Sequence, residues 1–156
     1  MLNKTNTKQV KFYANGEGDS FKMMGIQLFP KVTGEDNDGA FSLVDQIVQP
    51  GAGSPPHILL EGDKVLYVLE GEFTVLLGEE AVQARAGACA LIPRGTVHSF
   101  RNTGAGQGRI MAVVSPAGHE KFLYDLSQYA KDGPPAREVM AEVAEKHNVQ
   151  ILAPKK

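Results

Sequence analysis

Three side chains at set distances from turn residues carry most of the chemistry this chain can offer. His57 follows the Pro55-Pro56 bend and lies six residues after Gly51. Lys64 stands seven residues later in a β-rich run, and His98 follows the Pro-x-Gly turn Pro93-Arg94-Gly95. An imidazole exchanges protons near neutrality. A lysine amine brought out of water loses affinity for its proton, so it can serve as general base, cationic anchor for a carboxylate or enolate, or amine nucleophile. By residue type, Lys64, His57 and His98 are the candidate catalytic residues. With a carboxylate the two imidazoles would instead form a two-His, one-carboxylate metal set, and Glu61, in the loop before the strand, is placed to swing in as third ligand. Asp63 is less suited, because neighbouring strand residues face opposite sides. The plainer alternatives are that Lys64 snorkels out or pairs with Glu61 or Asp63, and that both histidines are packing residues with satisfied hydrogen bonds.

Other reactive side chains read as structural. His119 opens a helix after Ala117-Gly118, and His147 lies in a last helical turn, where a cation suits the dipole. Cys89, among Ala88, Ala90 and Leu91, reads as a small buried thiol. Asn102 closes a strand end, and Arg94 reads as solvated.

The elements that must position these groups are short strands. From residue 51, glycines at 51, 53, 62, 71, 78, 87 and 95 leave slots of seven to nine residues, the spacing of a sandwich or barrel. The slots predict strands over 64–69, 73–77, 81–85, 88–92, 98–101 and 110–115, with two more over 21–29 and 41–48 upstream. Phe41, Ile47, Leu66, Val68, Phe73, Val75, Ile92, Phe100 and Met111 are the expected walls of the core. After Pro116, Phe122, Leu123, Leu126 and Tyr129 recur at helical spacing. A second helix follows Pro134-Pro135, with Val139, Met140, Val143 and Ala144 inward and Asn148 at its end.

Composition excludes several classes. With 156 residues the chain is one domain with a sizeable core. One cysteine and four histidines cannot furnish a disulfide framework or a zinc finger. Sixteen basic against eighteen acidic residues leave a net charge of −2, giving no reason to expect nucleic acid or an anionic membrane as a partner. The polar, Lys-rich start lacks the apolar run of a signal peptide, which predicts a cytoplasmic protein.

The two motif blocks resemble those of the cupin family, G-x5-H-x-H-x3-4-E-x6-G and G-x5-P-x-G-x2-H-x3-N. The second is matched at every fixed position by Gly87, Pro93, Gly95, His98 and Asn102. In the first, Gly51, His57 and Gly71 keep the spacing, but Leu59 replaces the second His and Lys64 replaces the Glu. The resemblance covers residues 21 to 118, and the segment from Pro116 extends it to quercetin-dioxygenase-like bacterial cupins. It implies an all-β fold: a double-stranded β-helix, or jelly-roll barrel, over 21–118. A flexible arm over 1–20 precedes it, a C-terminal segment of two α-helices over 119–156 packs on it, and the chain forms a homodimer. In metal-bearing cupins the motif-one histidines and Glu and the motif-two His hold one divalent ion, usually iron, nickel, manganese or zinc; of that set His57 and His98 remain. An ammonium near the ion would cost on the order of 8 kcal/mol at about 4 Å and an effective dielectric near 20. The expectation is no metal, or a weakly bound one. With the resemblance this gives the expectation of a barrel that takes a small molecule, any enzyme activity being a metal-independent isomerisation or cyclisation of an aromatic or enolic ligand. The alternatives are a quercetin-type dioxygenase using His57, His98 and Glu61, and a non-catalytic ligand-binding or structural dimer.

Overall fold

Period-two patterning decides which side chains meet inside this barrel. In a computed structural model describing residues 9–152, the strands are β1 (Phe21–Met23), β2 (Ile26–Val32), β3 (Ser42–Val48), β4 (His57–Leu59), β5 (Asp63–Glu70), β6 (Glu72–Leu77), β7 (Glu80–Arg85), β8 (Cys89–Ile92), β9 (His98–Asn102) and β10 (Gly108–Ser115). Helices α1 (His119–Ser127) and α2 (Arg137–Lys146) follow, then β11 (Val149–Ile151). Two antiparallel sheets form, ordered β1-β2-β3-β10-β5-β8 and β11-β4-β9-β6-β7. The fold is the expected all-β jelly roll with two helices. Among the described residues no helix is long and apolar enough to cross a membrane.

Between the sheets lie Val44 and Val48 of β3, Leu66 and Val68 of β5, Ile110, Ala112 and Val114 of β10, and Phe73, Val75 and Phe100 of the second sheet. Each such side chain contributes roughly 1.5–3 kcal/mol by leaving water. Inward alternation on β5 puts Lys64 in this layer with Leu66 and Val68. Asn102 is the polar tie beneath it. Its amide donates to Val48 O and Gly106 O, both at 2.9 Å, and its Oδ1 accepts from Gly104 N. Asn102→Ala would strand these partners, so a loss of about 1–3 kcal/mol is expected, read as a lower urea midpoint with unchanged slope.

Several local expectations are corrected. The run 21–29 is a hairpin rather than one strand: Met24 and Gly25 both have positive φ, 48° and 82°, and link Met23 to its partner Ile26, the geometry of a tight two-residue turn. Phe41 is partly exposed, and Ile47 and Met111 occupy outward positions on β3 and β10. Tyr129 lies beyond α1 and is 55% exposed. Cys89 is exposed, not buried, because β8 is an edge strand and the outward face that it shares with Leu91 is uncovered. Arg94 is not merely solvated: its backbone N–H and guanidinium both donate to the Asp63 carboxylate. After α2 the chain turns at Asn148, whose φ is 56°, and β11 pairs with β4. Residues 1–8 of the expected arm and 153–156 of the C-terminal segment lie outside the described residues. Over 9–20 no strand or helix forms, yet Lys11 Nζ holds the Asp36 carboxylate at 2.9 Å.

Candidate functional site

The barrel brings His57, Lys64 and His98 together. His57 on β4 is the cross-strand partner of His98 on β9, with ring centroids 4.2 Å apart. Lys64 reaches across from β5 in the other sheet, and its Nζ lies 3.3 Å from His57 Nε2. All three are buried; Lys64 is 3% exposed. Backbone carbonyls fix the tautomers. His57 Nδ1–H donates to Pro55 O at 2.8 Å and His98 Nδ1–H to Thr96 O at 2.9 Å. Each ring therefore presents a bare Nε2 acceptor to the interior. Lys64 donates to that of His57, whereas His98 Nε2 is buried without a partner.

Burial lowers every proton affinity here. Desolvation alone brings the Lys64 amine down to about 7. Desolvation, then the Lys64 charge, brings His98 down to about 3. The same causes, joined by the charge of His98, push His57 well below the ordinary imidazole range. At neutral pH the site thus holds neutral imidazoles facing an amine poised between its two forms.

A fourth member was not foreseen. His119, at the start of α1, is buried against His57, with ring planes 2° from parallel and centroids 6.2 Å apart. Its Nδ1 is also buried without a partner. The signal was present in the spacing, because His119 precedes Phe122 and Leu126 by three and seven residues on the inward helix face. Glu120 anchors this helix start by accepting from Gly118 N and Gly34 N. Gln46 of β3 joins the wall as a further polar residue. His147 is elsewhere: its Nε2 bonds the Asp125 carboxylate at 2.6 Å.

His57, Lys64 and His119 line a cavity of about 60 Å³, otherwise walled mainly by apolar side chains, including Ile26, Leu28, Phe100 and Leu126. That is room for roughly four waters or a ligand of a few heavy atoms. His119 also lines an outer pocket of about 240 Å³, beside Glu61, Lys146 and Asn148.

The donor set does not fit a divalent ion. Glu61 is exposed and its carboxylate accepts from Asn148 Nδ2 at 2.9 Å, so it does not join His57 and His98. Among the described residues no group of three or more His, Cys, Asp or Glu is arranged to hold a metal. Leu59 is apolar, and the Lys64 amine confronts the nitrogen that would ligate. Nor does Lys64 pair with a neighbouring carboxylate, since Asp63 is held by Arg94 and Glu61 by Asn148.

Residues 44–114 match the family model of the cupin domain, the span that contains both histidine strands and Lys64. The barrel has the cupin fold. Across 75 residues, 48% of this chain, it is 32% identical to the HTH-type transcriptional regulator PuuR of Escherichia coli (strain K12) and spans 40% of that relative's length. Among solved structures, KdgF from Halomonas sp. superposes with a TM-score of 0.65 at 23% identity, covering 72% of this chain and 99% of that one. The polyketide cyclase RemF from Streptomyces resistomycificus gives 0.59 at 23% identity, covering 69% and 80%. These structural likenesses establish the cupin fold.

Proposed function

We propose that this cupin binds a small enolisable carbonyl compound in its barrel and moves a proton on it without a metal ion. The observation that carries the reading is two opposite polarities held around one buried imidazole: the Lys64 Nζ donor on His57 Nε2, and the partnerless Nε2 acceptor of His98, whose ring centroid lies 4.2 Å from that of His57. A carbonyl oxygen set against Nζ would gain a hydrogen bond strengthened as enolate charge develops. His98 Nε2, neutral at working pH, would take the proton from the adjacent carbon, and His57 holds Nζ in place. The apolar wall and small volume favour an uncharged body of a few heavy atoms. The shared fold with a polyketide cyclase is compatible with chemistry on carbonyl carbon but does not supply it.

The test is exchange of the α-protons of butanone in D2O, followed by proton NMR in the presence of EDTA. The protein should accelerate exchange over buffer, and His98→Gln should slow it by roughly 100-fold, within the span of general-base effects. Exchange no faster than in buffer, or seen only after a divalent metal is added, would overturn the proposal.

A further inference from the structure

The same cavity points to a covalent activity. Resting on the reading of this site as a carbonyl site, we infer that Lys64 is a nucleophile that forms an imine with a small, uncharged ketone or aldehyde.

The geometry supplies what imine chemistry requires. Nζ lines the cavity wall at 3% exposure. Among the described residues no carboxylate is paired with it: Asp63 is bound to Arg94 and Glu61 to Asn148. One N–H is committed to His57 Nε2 at 3.3 Å, which orients the amine and places a proton acceptor beside the atom that must lose protons. The wall around it is mostly hydrocarbon, from Met23, Ile26, Leu28, Phe100, Phe122 and Leu126. Among the described residues no Arg and no second Lys lines the cavity to receive a ligand carboxylate, which favours an uncharged compound.

The step balances without a co-reactant. The Nζ lone pair forms a bond to the carbonyl carbon as the π electrons move to oxygen. A proton passes from nitrogen to that oxygen through His57 Nε2, giving a carbinolamine. The nitrogen lone pair then forms C=N as the C–O bond breaks, and the remaining N–H proton passes through His57 Nε2 to the departing hydroxyl, so amine plus carbonyl becomes imine plus one water. The unpartnered His98 Nε2 is the base for the adjacent C–H, which the C=N bond acidifies.

Reductive trapping tests this. The protein is incubated with butanone and sodium cyanoborohydride, and labelled peptides are mapped by mass spectrometry. A secondary amine at Lys64 is expected, with a mass gain equal to butanone less one oxygen atom, forming roughly tenfold or more faster than on any other lysine. In Lys64→Met, shown to be folded by circular dichroism, that fast label should disappear while slow labelling elsewhere persists. Label spread over other lysines with Lys64 bare would overturn the imine. If Lys64 stays bare while butanone α-protons still exchange, the covalent step falls and the proton-transfer reading stands; if exchange is absent too, both fall.

Discussion

Lys64→Met is expected to stabilise the protein by about 2–4 kcal/mol at pH 7, an unusual direction for a substitution in a barrel core. Holding a lysine where its pKa falls from 10.5 to about 7 costs about 5 kcal/mol relative to water. Methionine fills similar space without that cost, but leaves His57 Nε2 without its donor, returning about 1–3 kcal/mol. The pH dependence separates this cause from better packing. Between pH 7 and 10.5 the unfolded chain binds more protons at this position than the folded one, so wild-type stability rises with pH across that window. The advantage of methionine is therefore full at and below pH 7 and fades toward pH 10.5. Urea midpoints of the two proteins at pH 7 and at pH 10 would show it. Equal midpoints at pH 7, or a gap that does not narrow on going alkaline, would refute the account.

The second large effect is acid collapse. His98 has a folded pKa of about 3 against 6.5 in the unfolded chain, and His57 and His119 are displaced the same way. These are bases with depressed folded values. Their contribution is complete above pH 6.5 and is lost progressively as pH falls toward 3. His98 alone accounts for about 5 kcal/mol over that interval, a large part of the roughly 5–15 kcal/mol that a domain possesses. With three imidazoles acting together, the barrel should unfold between about pH 4 and 5, seen as loss of far-UV dichroism. His98→Gln should move that midpoint to lower pH. A wild-type urea midpoint that stays flat from pH 7 to pH 4 would contradict this.

How far the sequence carried these conclusions varies by residue. Motif two was legible in full, because its glycines and proline impose turns at fixed spacing, and His98 follows from them. The inward direction of Lys64, with Leu66 and Val68, follows only if its strand keeps the register that the motif resemblance implies. By residue type alone, a lysine that snorkels out or pairs with Glu61 or Asp63 was as good a reading. What escaped were features set by distant partners. β4 has three residues and β11 three, too few for periodicity to register. The Met24-Gly25 turn was hidden because methionine is not a turn residue. His119 belongs to the site only because α1 folds back over the barrel mouth, and Cys89 is exposed because nothing covers the outer face of β8. Glu61 had loop freedom on paper, but Asn148, the residue that ends α2, holds its carboxylate.

The return of β11 to β4 has a consequence for biosynthesis. Ile151 is paired with His57 and Val149 with Leu59, so one flank of the site strand is supplied by residues made some ninety positions later. During translation the first sheet can close around Lys64 well before that flank exists. The pair of histidines would then face the amine across a strand still open on one side, and the cavity, which Ile151 helps to line, would be walled only once residues 149–151 leave the ribosome. Assembly of the strand pair that carries His57 is thereby coupled to synthesis past residue 151, so a chain stopped short of it lacks one wall of the cavity.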